Sequence, residues 1–311
     1  MAQDEDSNGD FTGYFMENIL DRIQRGEIIV SDGALGTQLM QRGLKQGDPP
    51  ELFNIEKPQV LEEIAGLYFD AGAEIIETNT FGASPLRLEQ FSLQNRMEEL
   101  NSAAVAAVRR VVGDRAYIAG SVGPSAKNLE PLGDAEPEQL LDGFAAQIHA
   151  LVAAGADIIC IETMMDAAEA VLAVKAARSV SAEIPIIATM TFNKTPHGFF
   201  TLMHNSVKDA AVALEEAGAD IVGSNCGDGM ENMVGIAREF RQCTKLPIII
   251  QGNAGLPIKG ENGLVYPDTP EYMAGKAAEL LEIGVQIIGG CCGTTPEHIR
   301  AIRSLVDSIQ H

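Results

Sequence analysis

The hexapeptide AGADII at residues 154–159 decides the fold, because close variants of it recur three more times along the chain. The variants are AGAEII at 71–76, AGADIV at 217–222 and IGVQII at 283–288. Each glycine follows an amphipathic helical pattern, where a helix C-terminus favours a left-handed residue. Each is followed by a short β-branched run typical of a buried parallel strand. The repeat therefore predicts four copies of a helix–turn–strand unit.

The spacing of the copies predicts four more strands. The copies lie roughly 60 to 80 residues apart, about twice the length of one strand–helix unit, so a further strand is expected in each interval and before the first copy. Bounded apolar runs occupy these places, namely EIIVS at 27–31, AYIAGS at 116–121, IPIIATMT at 184–191 and LPIIIQ at 246–251. Eight strands are predicted in all.

Helical patterns follow the strands and complete the architecture. They cover residues 58–70, 97–112, 137–154, 166–180, 207–217, 231–243, 270–283 and 296–308. Eight alternating units predict an α/β fold of the (β/α)8 TIM-barrel type, with residues 13–311 as one domain. A doubly wound open sheet is the competing arrangement, but SDGALG at 31–36 matches the dinucleotide-binding pattern only in part.

Composition and charge exclude several classes of partner. The chain carries a net charge of -22, which would repel nucleic-acid phosphates and anionic lipid surfaces. It has no apolar run of the roughly 18 residues that a membrane helix needs and no pattern of a signal peptide. Residues 1–12 are predicted to be a disordered acidic tail. A cytoplasmic protein with reduced cysteines is therefore expected.

The active sites of such barrels lie at the carboxyl ends of the strands, and here those ends carry polar groups and sulfur. Cys226 ends the predicted sixth strand, and the pair Cys291-Cys292 ends the eighth. These strands flank the seventh, so their ends are near enough for three sulfurs to meet at one ion. Cys160 and Cys243 are interpreted as packing residues.

Three thiolates with one open position predict a catalytic zinc site. The complex would carry a net negative charge, which makes the metal a poor activator of water but leaves a fourth, bound thiolate nucleophilic. The pattern therefore favours alkylation of a thiol over hydrolysis. The spacing is not that of a zinc finger, so the prediction depends on the placement of the cysteines at strand ends.

The motifs at the strand ends resemble those of the homocysteine S-methyltransferase family, most closely the N-terminal homocysteine-binding domain of cobalamin-dependent methionine synthases. The resemblance spans nearly the whole chain. It is carried by DGALGT at 32–37, TNTFGA at 78–83, GSVGP at 120–124, Asn225-Cys226 and GGCCGTTPEH at 289–298. Betaine-using relatives share the cysteines, but NTFG at 79–82 and NAG at 253–255 are more similar to the methionine synthase branch.

The resemblance implies a role for each matching residue. Cys226, Cys291 and Cys292 would bind Zn²⁺, and Asn253 would be a fourth ligand when substrate is absent. Glu162 would receive the ammonium group of homocysteine. The remaining substrate contacts implied for the amino-acid end are Asp32, the backbone at Gly33, Thr78 and Asn225.

The methyl donor is left open by the sequence. The chain ends shortly after the eighth predicted helix, so the modules that bind methylfolate and cobalamin in full-length relatives would be supplied by another module or protein. A corrinoid protein or a folate system is the expected partner, and a small donor such as S-methylmethionine or betaine, or another acceptor thiol, is the alternative. His197 and His204, with Lys194 and Asn205, follow the fifth strand but are interpreted as solvated loop residues.

Two other classes of protein are compatible with a barrel of this size. A Schiff-base aldolase would need a lysine at a strand end, and none of the eight predicted ends has one. A zinc- or thiol-binding module without turnover would share the same cysteines, and only an assay separates it from an enzyme. The cysteines predict a zinc-dependent enzyme that alkylates a thiol, and the resemblance implies that this thiol is homocysteine and the product methionine.

Overall fold

Eight parallel strands form a closed barrel in the computed structural model, which describes residues 16–260 and 263–310. Neighbouring strands in the sequence are neighbours in the sheet, β1 pairs with β8, and a bridge between Ser31 and Ile75 joins β1 to β2. The strands are β1 Ile29–Val30, β2 Ile75–Glu77, β3 Tyr117–Val122, β4 Ile158–Met164, β5 Ile186–Met190, β6 Ile221–Cys226, β7 Ile248–Gly252 and β8 Ile287–Gly290. The predicted barrel is confirmed, and the open sheet is wrong.

Helices connect the strands on the outside of the barrel. The eight long ones are Pro58–Asp70, Met97–Val112, Pro137–Ala153, Ala167–Val180, Val207–Ala217, Met230–Cys243, Pro270–Ile283 and Pro296–Gln310. Their predicted bounds are confirmed to within two residues. Shorter α-helices cover Ile19–Gln24, Leu35–Gln41, Phe53–Glu56 and Pro85–Leu88, and 3₁₀ turns cover Pro50–Leu52, Glu89–Phe91 and Gln94–Arg96.

Two small antiparallel ribbons extend the carboxyl end of the barrel, and the sequence analysis did not identify them. One pairs Asn193–Thr195 with Gly198–Phe200 after β5. The other pairs Ile258–Gly260 with Gly263–Val265 after β7. Ribbons this short bury no continuous apolar face, so they leave no periodic pattern in the sequence.

The repeated AGADII-like motif forms the helix end and strand that its pattern predicts. The four glycines of the repeat, Gly72, Gly155, Gly218 and Gly284, all have φ between 89° and 104°. A residue with a Cβ adopts this left-handed conformation only with strain, so glycine allows each helix to end sharply. The β-branched residues that follow then enter the barrel wall directly.

Two apolar layers hold the barrel together. One lies between the strands and the helices, and the other fills the barrel interior with isoleucines from most of the strands. Ile19 and Ile23 of helix Ile19–Gln24 pack against the interior layer, and both are buried. This short helix therefore closes the end of the barrel where the strands begin, and leaves the carboxyl end as the accessible mouth.

On five of the strands the inward-facing residues change from apolar to polar toward the mouth. Side chains two apart point to the same face, so the interior apolar residues are followed by polar groups nearer the mouth. Four pairs are two residues apart: Ile75/Glu77, Ala119/Ser121, Cys160/Glu162 and Ile249/Gln251. On β6 the polar residue comes four residues after the apolar one, as Ile221 and Asn225. The polar layer forms the floor of the mouth.

Gly223 offers a test of this packing. An added Cβ would stand 1.8 Å from the backbone oxygen of Ile249 on the neighbouring strand, a contact that no side-chain rotation relieves. We expect Gly223→Ala to destabilise the barrel by about 3 kcal/mol, measured by urea unfolding. Gly275→Ala, on an exposed helical position with no atom within 4 Å of the new Cβ, should instead be neutral or stabilising by up to about 1 kcal/mol. Equal stability of the two variants would contradict the tight strand packing.

Some predictions on the chain ends are not tested. The predicted disordered tail at residues 1–12 lies outside the described residues, and the assignment of 13–311 to one domain stays a prediction. Within the ranges that the structure describes, no helix is both long enough and apolar enough to cross a membrane.

Candidate metal centre

The three cysteines singled out in the sequence meet at the mouth of the barrel. Cys226 is the last residue of β6, and Cys291 and Cys292 directly follow β8. Their sulfur atoms all lie within 4.8 Å of one another. Three sulfurs bound to a tetrahedral zinc ion stand roughly 3.8 Å apart, because each Zn–S bond is about 2.3 Å long. Small side-chain movements would therefore bring the three into ligand positions.

Tight turns direct these sulfurs to one point. Cys226 has φ of 65° and the following Gly227 has φ of 67°, so the chain turns sharply as β6 ends. After β8, Gly293 has φ of 81°, and a Cβ there would overlap the ring of Tyr266 at 2.0 Å. The Thr294 hydroxyl donates to the carbonyl oxygen of Cys291 at 2.8 Å. The backbone of the cysteine loop is thus fixed independently of its sulfurs.

Asn253 lies beside the cysteines, just beyond β7. Its Nδ2 donates to the carbonyl oxygen of Gly227 at 2.7 Å and lies 3.7 Å from the sulfur of Cys226. The side chain is 5% exposed, and its Oδ1 has no hydrogen-bond partner among the described residues. A buried amide oxygen without a partner is costly unless a ligand satisfies it. This atom and three sulfurs together are a donor set that suits zinc.

The sulfurs influence one another strongly. Hydrogen bonds from Cys291 and Cys292 lower the pKa of Cys226 far below that of an ordinary thiol. The same contacts with Cys226 raise the pKa values of Cys291 and Cys292. The three thiols therefore titrate as one unit, and a bound cation would favour the ionised form of all three.

Glu162 and Asn225 form a rigid polar pair next to the sulfurs. Glu162 is 8% exposed, accepts a hydrogen bond from the Ser121 hydroxyl, and accepts another from Asn225 Nδ2 at 3.1 Å. Asn225 Nδ2 also lies 3.9 Å from the sulfur of Cys291. Burial, and then the nearby Glu77, raise the pKa of Glu162. The pair connects a buried carboxyl group to the sulfur cluster.

Asn225 also fixes the backbone at the end of β4. Thr163 has φ of 58°, an uncommon value for a residue with a branched side chain. Asn225 Oδ1 accepts from the Thr163 backbone N–H at 2.8 Å and from the Thr189 hydroxyl at 2.8 Å, while Asn225 Nδ2 donates to Thr163 Oγ1 at 2.7 Å. These bonds hold Thr163 in its strained conformation and so orient the preceding glutamate.

The structure also places the other residues predicted to bind substrate. Asp32 is buried, its Oδ2 accepts from the Glu77 backbone N–H at 2.9 Å, and it caps no helix. Gly33 packs so closely that a Cβ would be 2.6 Å from Thr294 Oγ1. Thr78 accepts from the Ser121 backbone N–H at 3.2 Å, and its hydroxyl shares a hydrogen bond with Thr80 at 2.6 Å. The Thr78 side chain is thus committed within the protein, and its predicted substrate contact stays untested.

Glu77 and Gln251, which lie at the ends of predicted strands, were given no role by the sequence analysis. Gln251 Nε2 donates to Glu77 Oε1 at 2.8 Å across the barrel interior, and the Cys160 thiol lies 3.6 Å from the same oxygen. The alternation Ile75-x-Glu77 and Ile249-x-Gln251 is the signal that would have found them, because it puts a polar side chain inward on a strand.

The remaining candidates make no hydrogen bond to the sulfurs within the described part of the chain. Lys194 and His197 are exposed on the first ribbon, as expected of solvated loop residues. Asn205 instead has a structural contact, since its Oδ1 accepts from the Ala167 backbone N–H at 3.1 Å. Cys160 is fully buried, and Cys243 ends a helix.

A cavity of about 310 Å³ adjoins the polar pair through Thr163. The guanidinium of Arg87 stacks over the Phe81 ring at 5.4 Å and donates to the carbonyl oxygen of Pro124 at 3.4 Å. Met165 and Leu202 add apolar surface to the cavity wall. The cavity beside Thr163 is therefore a second space, lined by none of the three cysteines and large enough for a small molecule.

Comparison with known proteins identifies relatives of the whole barrel. A family model described as homocysteine S-methyltransferase matches residues 29–306. Two curated relatives are methionine synthases, from Mycobacterium tuberculosis (34% identical over 300 residues, 91% of this chain) and from Mycobacterium leprae (32% identical over 296 residues, 90% of this chain). The chain spans only about a quarter of their length, namely 25% and 24%.

Solved structures show the same fold. The metallated form of the homocysteine methyltransferase MmuM from Escherichia coli matches with a TM-score of 0.77 and 21% identity, over 93% of this chain and 99% of that one. A methyltransferase from Methanosarcina mazei matches with a TM-score of 0.60 and 12% identity, over 96% of this chain and 99% of that one. At these identities the likeness supports the barrel alone.

Proposed function

Because the chain belongs to the homocysteine S-methyltransferase family, we propose that it methylates the sulfur of homocysteine on a zinc ion held by Cys226, Cys291 and Cys292. The observation that carries the proposal is the meeting of these three sulfurs within 4.8 Å at an open barrel mouth. Asn253, with its buried Oδ1, is proposed as the fourth ligand when substrate is absent. A zinc ion, when bound, would keep the homocysteine sulfur as a thiolate at neutral pH.

The polar pair positions the substrate in this proposal. Glu162 is buried, and its carboxyl group would receive the substrate ammonium, which supplies three N–H donors. Asn225 fixes both Glu162 and the neighbouring backbone, so the ammonium group and the sulfur would be held at a set distance. Asp32 and the backbone at Gly33, which follow β1, are proposed to contact the amino-acid end.

The methyl transfer itself needs no acid or base from the protein. A lone pair of the homocysteine sulfur forms the new S–C bond while the bond between the methyl carbon and the donor breaks, and its electron pair leaves with the donor. The thiol proton is released when the sulfur ionises. The barrel mouth contributes by positioning the substrate sulfur and the methyl donor and by excluding competing groups.

A corrinoid- or folate-linked protein or module is the proposed source of the methyl group. The curated methionine synthases are about four times as long as the matched region, so further modules accompany the barrel in those proteins. Large apolar side chains more than half exposed lie on the segments that follow β3, β5 and β7: Leu132, Leu202, Leu256, Ile258 and Leu264. Exposed apolar groups around a reaction mouth suit a protein that docks there.

The test is a direct assay of methionine formation. We expect the zinc-loaded chain to convert L-homocysteine and methylcobalamin to methionine, and a chelator to reduce the rate to that without protein, with activity restored by added Zn²⁺. A protein that binds metal and homocysteine but gives no methionine from methylcobalamin, methyltetrahydrofolate or S-methylmethionine would instead be a non-catalytic thiol-binding module. That outcome would contradict the proposal.

A small methyl donor is the second candidate, and the cavity beside Thr163 favours it. Its volume of about 310 Å³ exceeds what a molecule the size of S-methylmethionine or betaine needs. Methionine formed from such a donor and not from methylcobalamin would select this alternative. In either case the thiols must stay reduced, so a reducing compartment such as the cytoplasm is part of the proposal.

A further inference from the structure

Three carboxyl groups lie at or near the carboxyl ends of strands of the barrel. Asp32 follows β1, Glu77 ends β2 and Glu162 lies on β4. Burial raises the pKa values of all three, and the Glu77 charge acts on both of the others. No salt bridge links any of them to a basic side chain within residues 16–260 and 263–310. Such an arrangement is costly unless protons or a bound cation neutralise it.

Glu77 is held so that part of its carboxyl group stays free. Gln251 and the Cys160 thiol both approach Oε1. No hydrogen bond in the described part of the chain involves Oε2. Glu77 is only half-buried although it points into the barrel, and the opposite end of the barrel is closed by Ile19 and Ile23. The accessible part of Glu77 therefore faces the mouth.

Two further atoms indicate that a ligand completes this site. Asp32 is 4% exposed and Gln251 is 2% exposed, and yet Asp32 Oδ1 and Gln251 Oε1 have no hydrogen-bond partner among the described residues. Both residues are bonded to Glu77, Asp32 through the Glu77 backbone N–H and Gln251 through the Glu77 side chain. Buried acceptors without a partner are satisfied by hydrogen-bond donors, so these atoms favour a ligand rich in N–H groups.

We propose that Glu77 is a third carboxyl group of the ammonium subsite, next to Asp32 and Glu162, and that it makes the site select thiols that carry an α-ammonium group. This inference rests on the proposed function. A primary ammonium offers three N–H donors and one positive charge, which matches three carboxyl groups with free acceptors. A thiol of the same length without the ammonium group leaves those acceptors unpaired, so the site discriminates against it.

The test compares two thiols on one variant. Co²⁺-loaded protein is titrated with L-homocysteine and with 4-mercaptobutyrate, which lacks only the amino group, and binding is followed through the thiolate–cobalt absorption. Glu77→Gln should weaken homocysteine binding about fivefold and leave 4-mercaptobutyrate binding unchanged or tighter. The glutamine still offers an acceptor to Gln251, so the interior contact is kept. Glu51→Gln changes a buried carboxyl outside the barrel interior, which accepts from Gly82 N–H, and should alter neither affinity.

The outcomes separate this inference from the proposed function. Equal weakening for both thiols in Glu77→Gln would mean a structural role only, and unchanged affinities would mean no role, so either result overturns the inference. Failure of the unaltered protein to bind homocysteine through its metal would overturn the proposed function itself. A selective loss for homocysteine, absent in Glu51→Gln, would support a third carboxyl at the ammonium subsite.

Discussion

Replacing Cys291 by alanine will remove metal binding and leave the barrel folded. Loss of groups that merely support a metal ligand costs about 10- to 100-fold in affinity, so loss of one of three ligands should cost at least about 100-fold. The fold should survive because the backbone of this loop has its own contacts. Cys291 N–H donates to the Gly252 carbonyl at 2.9 Å, and the Cys291 carbonyl accepts from Thr294.

Metal content after dialysis and circular dichroism are the two measurements for Cys291→Ala. Cys243→Ala is the matched control, since it also removes one thiol but lies at the end of helix Met230–Cys243, outside the sulfur cluster. The control should keep its zinc. A Cys291→Ala protein that retains stoichiometric zinc would contradict the proposed metal centre. A variant that unfolds would show that the sulfurs stabilise the loop.

The Glu162→Gln variant should keep its metal and lose affinity for homocysteine. A charged hydrogen bond to the substrate ammonium is removed while the shape of the side chain is kept, so the expected loss is roughly 1 to 3 kcal/mol, or about 5- to 150-fold. The loss of homocysteine affinity should be larger than in Glu77→Gln, because Glu162 is connected to the sulfur cluster. It accepts a hydrogen bond from Asn225, whose Nδ2 lies 3.9 Å from the Cys291 sulfur.

Calorimetric titration of zinc-loaded protein with L-homocysteine measures the Glu162→Gln effect, with metal content determined on the same sample. Glu51→Gln is again the control, because Glu51 is buried, lies in the 3₁₀ turn Pro50–Leu52 rather than on a strand, and accepts from Gly82 N–H. Unchanged homocysteine affinity in Glu162→Gln would remove Glu162 from the ammonium subsite. Loss of zinc together with homocysteine binding would mean that the variant disturbs the sulfur cluster through Asn225.

The fold was predictable because its signals are local. Each AGADII-like phrase combines a helix end that needs glycine with a strand that needs β-branched residues, and both needs act within about six residues. The eight long helices were likewise predicted to within two residues. The two ribbons after β5 and β7 were not predicted, because three-residue strands have too few positions to show an alternating pattern.

The candidate site was predictable only where its residues are chemically unusual. Cysteines at strand ends are rare enough to stand out, and the rule that strands of a barrel end at one mouth brought them together. Glu77 and Gln251 are common residue types, and their alternation with Ile75 and Ile249 marks them only as inward-facing side chains. Their contact joins residues 174 positions apart, so only the closed barrel shows that the two side chains meet.

By itself the sequence determined the barrel, the order of its units and the cysteines at its mouth, since each follows from residue preferences over short stretches of chain. The tertiary structure alone decided which buried carboxyl groups share a space, which of their oxygens are left without a partner, and that Asn225 connects Glu162 to the sulfur of Cys291. Electrostatic and hydrogen-bond energies depend on distances between atoms of different strands, and those distances exist only once the barrel has closed.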